Sequence, residues 1–167
     1  MVEQSFDVAV VGAGHAGLAT SYFLTYFGIH HIVLERGRIG ESWRTQRWNS
    51  FVLNSPNKFN SLPGDAYKGT NPDGFDSAQV FVSNLERYAK MFQLPVEEHA
   101  RVISVERHAS RYRVTALVRG ATRTYTCRQV VVASGGMNHL KMPSFANCVA
   151  YRNPFQDTIL GTKKSRT

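Results

Sequence analysis

The sequence has almost no cysteine, few acidic residues and no long apolar run. Its two cysteines, Cys127 and Cys148, stand at a spacing that suggests neither a disulfide framework nor a metal knuckle. Gly or polar residues interrupt every apolar stretch well before the roughly 18 residues a membrane-spanning helix needs, so no membrane partner is expected. The start, Met1 to Asp7, lacks a basic segment followed by an apolar one. No signal peptide is expected, and a soluble, cytoplasmic protein is the default. Internal repeats and low-complexity tracts are missing too, and 43% apolar with 19% charged residues excludes the disordered and fibrous classes. A length of 167 residues suits one domain with a sizeable core.

The shortage of acid leaves a net charge of +8. Seven arginines lie between Arg101 and Arg128 against Glu106 alone, and Arg36, Arg38, Arg44 and Arg47 form another group. A basic surface can attract the phosphates of a nucleic acid. These arginines, however, alternate with apolar residues, as in Arg111-Tyr-Arg-Val-Thr-Ala, which is the pattern of a strand with one wet face. No zinc finger or RNA-binding aromatic motif accompanies them, so a solvated ribbon is expected and no nucleic-acid partner.

What is present is a strand-helix-strand pattern. Residues 5–12 form a short β-branched run that stops at glycine, the look of a buried parallel strand. Leu18, Ala19, Tyr22, Phe23 and Tyr26 follow at helical spacing, with Gly28 as a stop, and His31–Glu35 reads as a second strand. The crossover between the strands is expected to be right-handed. Residues 36–75 read as irregular, a length usually kept for function. Asp76 is the expected cap of a helix through about residue 92, with Phe81, Leu85, Tyr88 and Phe92 as a core-facing stripe. Short strands are expected at 101–105, 111–117 and 122–127, with Gly120 in a turn, and a separate strand at 129–133 leads into Ser134-Gly135-Gly136.

Gly12-Ala13-Gly14-His15-Ala16-Gly17 falls between the first strand and its helix, where such a motif carries weight. Gly12 allows a tight turn, Gly14 lets a pyrophosphate approach the backbone, and Gly17 lets the helix pack closely. The helix N-terminus offers N–H groups and a positive dipole end to the phosphates. Glu35, 18 residues beyond Gly17, can accept hydrogen bonds from ribose hydroxyls and would repel the 2′-phosphate of NADP. The expected ligand is therefore FAD or NAD; a plain surface acid at a strand end is the alternative for Glu35. His15 is expected to point outward near the helix start rather than to act in catalysis. No residue cluster suggests a metal site.

Three further segments favour FAD by resemblance. Gly40-Glu-Ser-Trp43-Arg44 is similar to the Gly-Gly-x-Trp-Arg segment of flavin-containing monooxygenases and their bacterial relatives. Val130-Val-Val-Ala133-Ser134-Gly135, followed by Pro143, resembles the Ala-Thr-Gly strand of the same two-dinucleotide-binding flavoproteins. Asn54-Ser-Pro56-Asn-Lys58 resembles their Asn-x-Pro segment, whose asparagine lies near the reactive edge of the isoalloxazine. The resemblance spans about residues 5–145. It implies a Rossmann-like α/β fold, a parallel sheet with helices plus an antiparallel β-ribbon. It carries cofactor-binding roles to Gly12, Ala13, Gly14, His15, Ala16, Gly17, Glu35, Arg36, Trp43, Arg44, Val102, Ala133, Ser134 and Gly135, and a catalytic role to Asn54.

The resemblance also has limits. Members of that family usually run to more than twice this length, with a second glycine-rich domain for NADPH, and no second such motif occurs here. Beyond Phe145 the Phe-x-Gly and His-Ser segment is missing, Tyr151-Arg-Asn-Pro154 resembles a piece that normally follows it, and residues 157–167 match nothing. The expectation is a truncated relative with an FAD-binding domain at 1–145 and a divergent tail at 146–167. In the full-length family NADPH reduces the flavin, which then activates O₂ to oxygenate a small-molecule substrate. Set against that oxidoreductase reading are an FAD-binding module with no activity of its own and an NAD-binding domain of another oxidoreductase. Trp43, the ribbon and Ala133-Ser134-Gly135 argue against the last. The substrate is not legible, and a homo-oligomer stays open.

Overall fold

The computed structural model describes residues 4–136. The expected boundary at 145/146, Pro143, Cys148, the Tyr151–Pro154 segment and the tail lie outside the described residues. The strands are β1 (Gln4–Val11), β2 (His31–Leu34), β3 (Val96–Glu97), β4 (Ala100–His108), β5 (Arg111–Val118) and β6 (Ala121–Val132); the helices are α1 (His15–Tyr26), α2 (Glu41–Thr45) and α3 (Ala78–Met91). They form one six-stranded sheet in the order β3-β2-β1-β6-β5-β4.

The parallel part rests on β-branched runs, buried in β1 and β2 and half-buried to exposed in β6. β1 pairs β2 in the register Val10↔Val33 and β6 as Val10↔Val131. α1 ends where expected and for the expected reason. Gly28 takes φ +67°, its N–H donates to Thr25 O (3.0 Å), and Ile29 N–H donates to Leu24 O (2.8 Å), which together satisfy the last carbonyls. The stripe on α3 packs on the sheet, with Phe81, Leu85 and Tyr88 buried against Val8, Val10 and Val33.

Four expectations need correction. The expected strands at 122–127 and 129–133 are the single strand β6, because nothing between Cys127 and Gln129 can turn the chain. Residues 121–127 pair antiparallel with β5 and residues 125–132 parallel with β1, so the two ladders overlap at 125–127. The ribbon is accordingly an extension of the main sheet. It curls back over the face opposite the helices, where Ile32 and Leu34 of β2 share a core with Val114, Val118 and Tyr125. Helix α3 is capped by Ser77, whose Oγ accepts from Val80 N–H (3.3 Å), not by Asp76. Asp76 is occupied one residue earlier: its N–H donates to Asn57 Oδ1 (2.8 Å) and its carbonyl accepts from Leu53 N–H (2.9 Å). Residues 36–75 contain the short α2 and one 3-10 turn, Asn57–Phe59, and β3 is an additional two-residue edge strand. Gly120 sits where expected, in a two-residue turn with Arg119, both at positive φ, as a tight hairpin requires. Of the arginines of β4 to β6, Arg101, Arg107, Arg123 and Arg128 are exposed and Arg111 and Arg113 half-buried, while Val114, Ala116 and Val118 are buried.

Candidate functional site

The carboxyl ends of β1, β2 and β6 bring together three separate pieces of sequence. β1 lies between β2 and β6, so its end is a point where the chain leaves to either side, the usual place for a ligand in an α/β sheet. Gly12-Ala13-Gly14 connects β1 to α1, Glu35 follows β2, and Ala133-Ser134-Gly135 follows β6.

The three glycines of the loop face different things. Gly12 has φ +107°, and a Cβ there would lie 2.6 Å from Ala133 O. A Cβ on Gly17 would lie 1.9 Å from Gly12 O, so the helix packs on the loop only because Gly17 is bare. A Cβ on Gly14, by contrast, would meet no atom of the described residues within 4 Å. Gly14 is the N-cap of α1 and no side chain caps that end; the first helical bond runs from Leu18 N–H to Gly14 O (3.0 Å). Ala13 is fully buried, while Ala16 and His15 are exposed, the His15 ring stacking near Phe81 with centroids 6.2 Å apart. Desolvation by the surrounding protein lowers the pKa of His15 below 6.5.

Glu35 is not a surface acid. It is 7% exposed, and its carboxylate accepts from Ala13 N–H (2.7 Å) at one oxygen and from Gly37 N–H (3.0 Å) at the other. Two backbone donors hold the carboxyl group between the glycine-rich loop and the segment after β2, and its remaining lone pairs are still able to accept. Ala133 is tied to the same place by its N–H, which donates to Val11 O (2.8 Å). Ser134 and Gly135 are exposed beyond it, Gly135 at φ +77°.

The chain's sequence from residue 9 to 156 matches the family model described as pyridine nucleotide-disulphide oxidoreductase. The chain belongs to that family. Among curated relatives, an uncharacterized CzcO-like oxidoreductase of Geobacillus kaustophilus is 38% identical over 145 residues, covering 86% of this chain and 40% of the relative. Indole-3-pyruvate monooxygenase YUCCA6 of Arabidopsis thaliana is 32% identical over 139 residues, 81% of this chain and 33% of the relative. A solved flavin-containing monooxygenase from Stenotrophomonas maltophilia superposes with a TM-score of 0.74 at 30% identity, covering 84% of this chain and 42% of that one. The chain spans about 40% of the length of the relatives it matches first.

Residues distant in sequence meet here, but the expected positions do not all do so equally. Trp43 and Arg44 lie on α2, behind the loop, to which they connect through Gly40 N–H donating to Ala13 O (3.1 Å). Trp43 packs edge-on against Phe81 (4.8 Å) under the Arg47 guanidinium, and Arg44 pairs with Glu86 of α3 while its Nε donates to Ile39 O (3.2 Å). Arg36 is exposed beside Glu35. Val102 is half-buried in β4, two residues from Ala100, whose N–H donates to the Glu35 carbonyl (2.7 Å). Asn54 is exposed on the connector, which is anchored nearby at Leu53. Two side chains that matter locally went unsingled in the sequence. Asn57 is 5% exposed and holds the connector through Nδ2 to Asn71 O (3.0 Å) and Oδ1 from Asp76 N–H. Glu98 accepts from Ile39 N–H (2.8 Å). A turn asparagine three residues past Asn54 was a usable cue for Asn57; a glutamate after a two-residue strand gives none.

Proposed function

We propose that these residues hold the ADP half of FAD, and that the whole protein is an FAD-dependent oxidoreductase of the monooxygenase type. The observation that carries this is the open side of the loop. Among the described residues no atom lies opposite Gly14, at a helix N-terminus without a side-chain cap, while Gly12 and Gly17 are closed against protein. Donor N–H groups and a positive dipole end thus meet space with room for a pyrophosphate. Glu35 would receive the adenosine ribose on its spare lone pairs, and its charge disfavours a 2′-phosphate. Under this reading Arg36, Trp43, Arg44, Val102 and Ala133–Gly135 would complete the cofactor site, and Asn54 would serve its flavin end. Monooxygenase chemistry is supported by the flavin-containing monooxygenase and YUCCA6 among the relatives.

Bound FAD would supply hydride acceptance and, once reduced, activation of O₂, with NADPH the reductant and a small molecule the substrate in the whole protein. The residues of this chain bind and orient; none is required to move a proton. The test is titration of FAD into parent and Gly14→Val, followed by flavin fluorescence. The parent should bind and the variant should not, because the introduced isopropyl group would occupy the pyrophosphate position. Equal binding would remove the loop from the site.

A further inference from the structure

We propose that Glu98 is a positioning residue for the dinucleotide site, acting on the glycine-rich loop through the segment 36–40. The inference rests on the FAD reading above. Four successive N–H groups of an irregular segment are all committed. Gly37 N–H goes to Glu35, Arg38 N–H to Glu41 Oε2 (3.0 Å), Ile39 N–H to Glu98 Oε1 (2.8 Å) and Gly40 N–H to Ala13 O (3.1 Å). The residue after Glu98 grips the same segment from the other end, since His99 N–H donates to Gly37 O (2.8 Å).

The consequence is a connected ring of bonds. Ala13, in the middle of the glycine-rich loop, has both backbone groups taken: its N–H by Glu35, just before this segment, and its carbonyl by Gly40 at the segment's end. The position of Gly40 depends on its neighbour Ile39, which Glu98 holds at the N–H and Arg44 at the carbonyl. No ladder or helix fixes residues 36–39, so the carboxylate bond from Glu98 is a main restraint on where Gly40 meets the loop. A hydrogen bond to a charged acceptor is the stronger kind and is suited to that task. Loosening it would leave Glu35 and the loop amides less well placed for the ribose and pyrophosphate, although Glu98 itself bonds to neither group. Glu97, one residue earlier, is a natural comparison: it pairs with Arg123 and Tyr125 of the ribbon instead.

The experiment measures FAD and ADP affinity in the parent chain, Glu98→Ala, Glu98→Asp, Glu98→Gln and Glu97→Gln, with amide exchange read over residues 12–17 and 37–40. Glu98→Ala should weaken FAD and ADP by a common factor of about tenfold and speed exchange in both segments. Glu98→Gln keeps a carbonyl acceptor and should bind close to the parent. Glu98→Asp keeps the charge but withdraws the oxygen, and should fall between. Glu97→Gln should leave ADP affinity unchanged. Parent-like ADP affinity in Glu98→Ala overturns the inference. An equal loss in Glu97→Gln also overturns it, because the effect would then be general loosening. Should Glu98→Ala fail to fold, Glu98→Asp carries the same decision. A parent that binds neither FAD nor ADP sinks the FAD reading and this inference with it, whereas equal parent and variant affinities sink this inference alone.

Discussion

Residues 4–35 and residues 36–77 are held together by different means. The first stretch uses the parallel ladder between β1 and β2 and full burial of Val10, Leu18 and Val33. The second has little ladder and little core, and side chains hold it to its neighbours. Asn57 bonds two distant backbone groups, Tyr88 OH reaches up from α3 to Pro63 O (2.6 Å), and Arg87 and Lys58 pair with Asp65 and Asp73. The first arrangement spreads stability over many small apolar contacts. The second concentrates it in a few polar bonds, each costly to lose where it is buried.

Breaking the βαβ unit should show this most strongly. Gly17→Ala forces a Cβ to 1.9 Å from a backbone carbonyl that cannot swing aside. A loss of about 3 kcal/mol or more is expected from such overpacking, read as a lowered urea midpoint. In the connector, Asn57→Ala strands Asp76 N–H and Asn71 O, with an expected cost of about 2–3 kcal/mol in the same measurement and faster amide exchange at residues 53–76. Tyr88→Phe removes one donor and keeps the packing. About 1 kcal/mol should be lost, with proteolysis of the connector near Pro63 rising before any change in the βαβ unit.

A proton can probe the same contrast. His31 is buried, with one ring nitrogen 2.7 Å from Ser21 Oγ of α1 and the other 2.8 Å from Ile29 O. Burial lowers its pKa below 6.5, so below that pH the unfolded chain binds more protons than the native one. Stability is therefore complete above 6.5 and falls as pH drops through the window beneath it, with His15 adding in the same direction. Urea midpoints at about pH 7.5 and about 5.5 should differ in that sense, and His31→Gln should reduce the difference. The smallest effect on stability is expected at Gly14→Val, under about 1 kcal/mol, since only N-cap preference is lost. A large loss there would show that Gly14 faces protein after all.

The βαβ unit was legible because period and punctuation agree. β-Branched residues run to Gly12, apolar residues recur at helical spacing, and Gly28 stops the helix, each a local signal that the local backbone obeys. The cap of α3 was misread because Asp76 and Ser77 are both good N-cap residues, and only the bond from Asp76 N–H to the distant Asn57 selects between them. The two segments of β6 looked separate because the polar pair Arg128-Gln129 interrupts the apolar pattern, and the overlap of the β5 and β1 ladders at 125–127, which makes one continuous strand, leaves no mark in the sequence.

By itself, the sequence determined where the glycine-rich loop lies, that it leads from a strand into a helix, and that an acid closes the next strand. These are properties of neighbouring residues, set by sterics and by the two short periods of helix and strand. Only the tertiary structure decided which glycine has open space beside it among the described residues, that Glu35 is clamped between two backbone amides, and that Ile39 N–H meets the carboxylate of Glu98, 59 residues away. Those facts depend on which distant segments the folded sheet brings within about 3 Å of one another, the reach of a hydrogen bond.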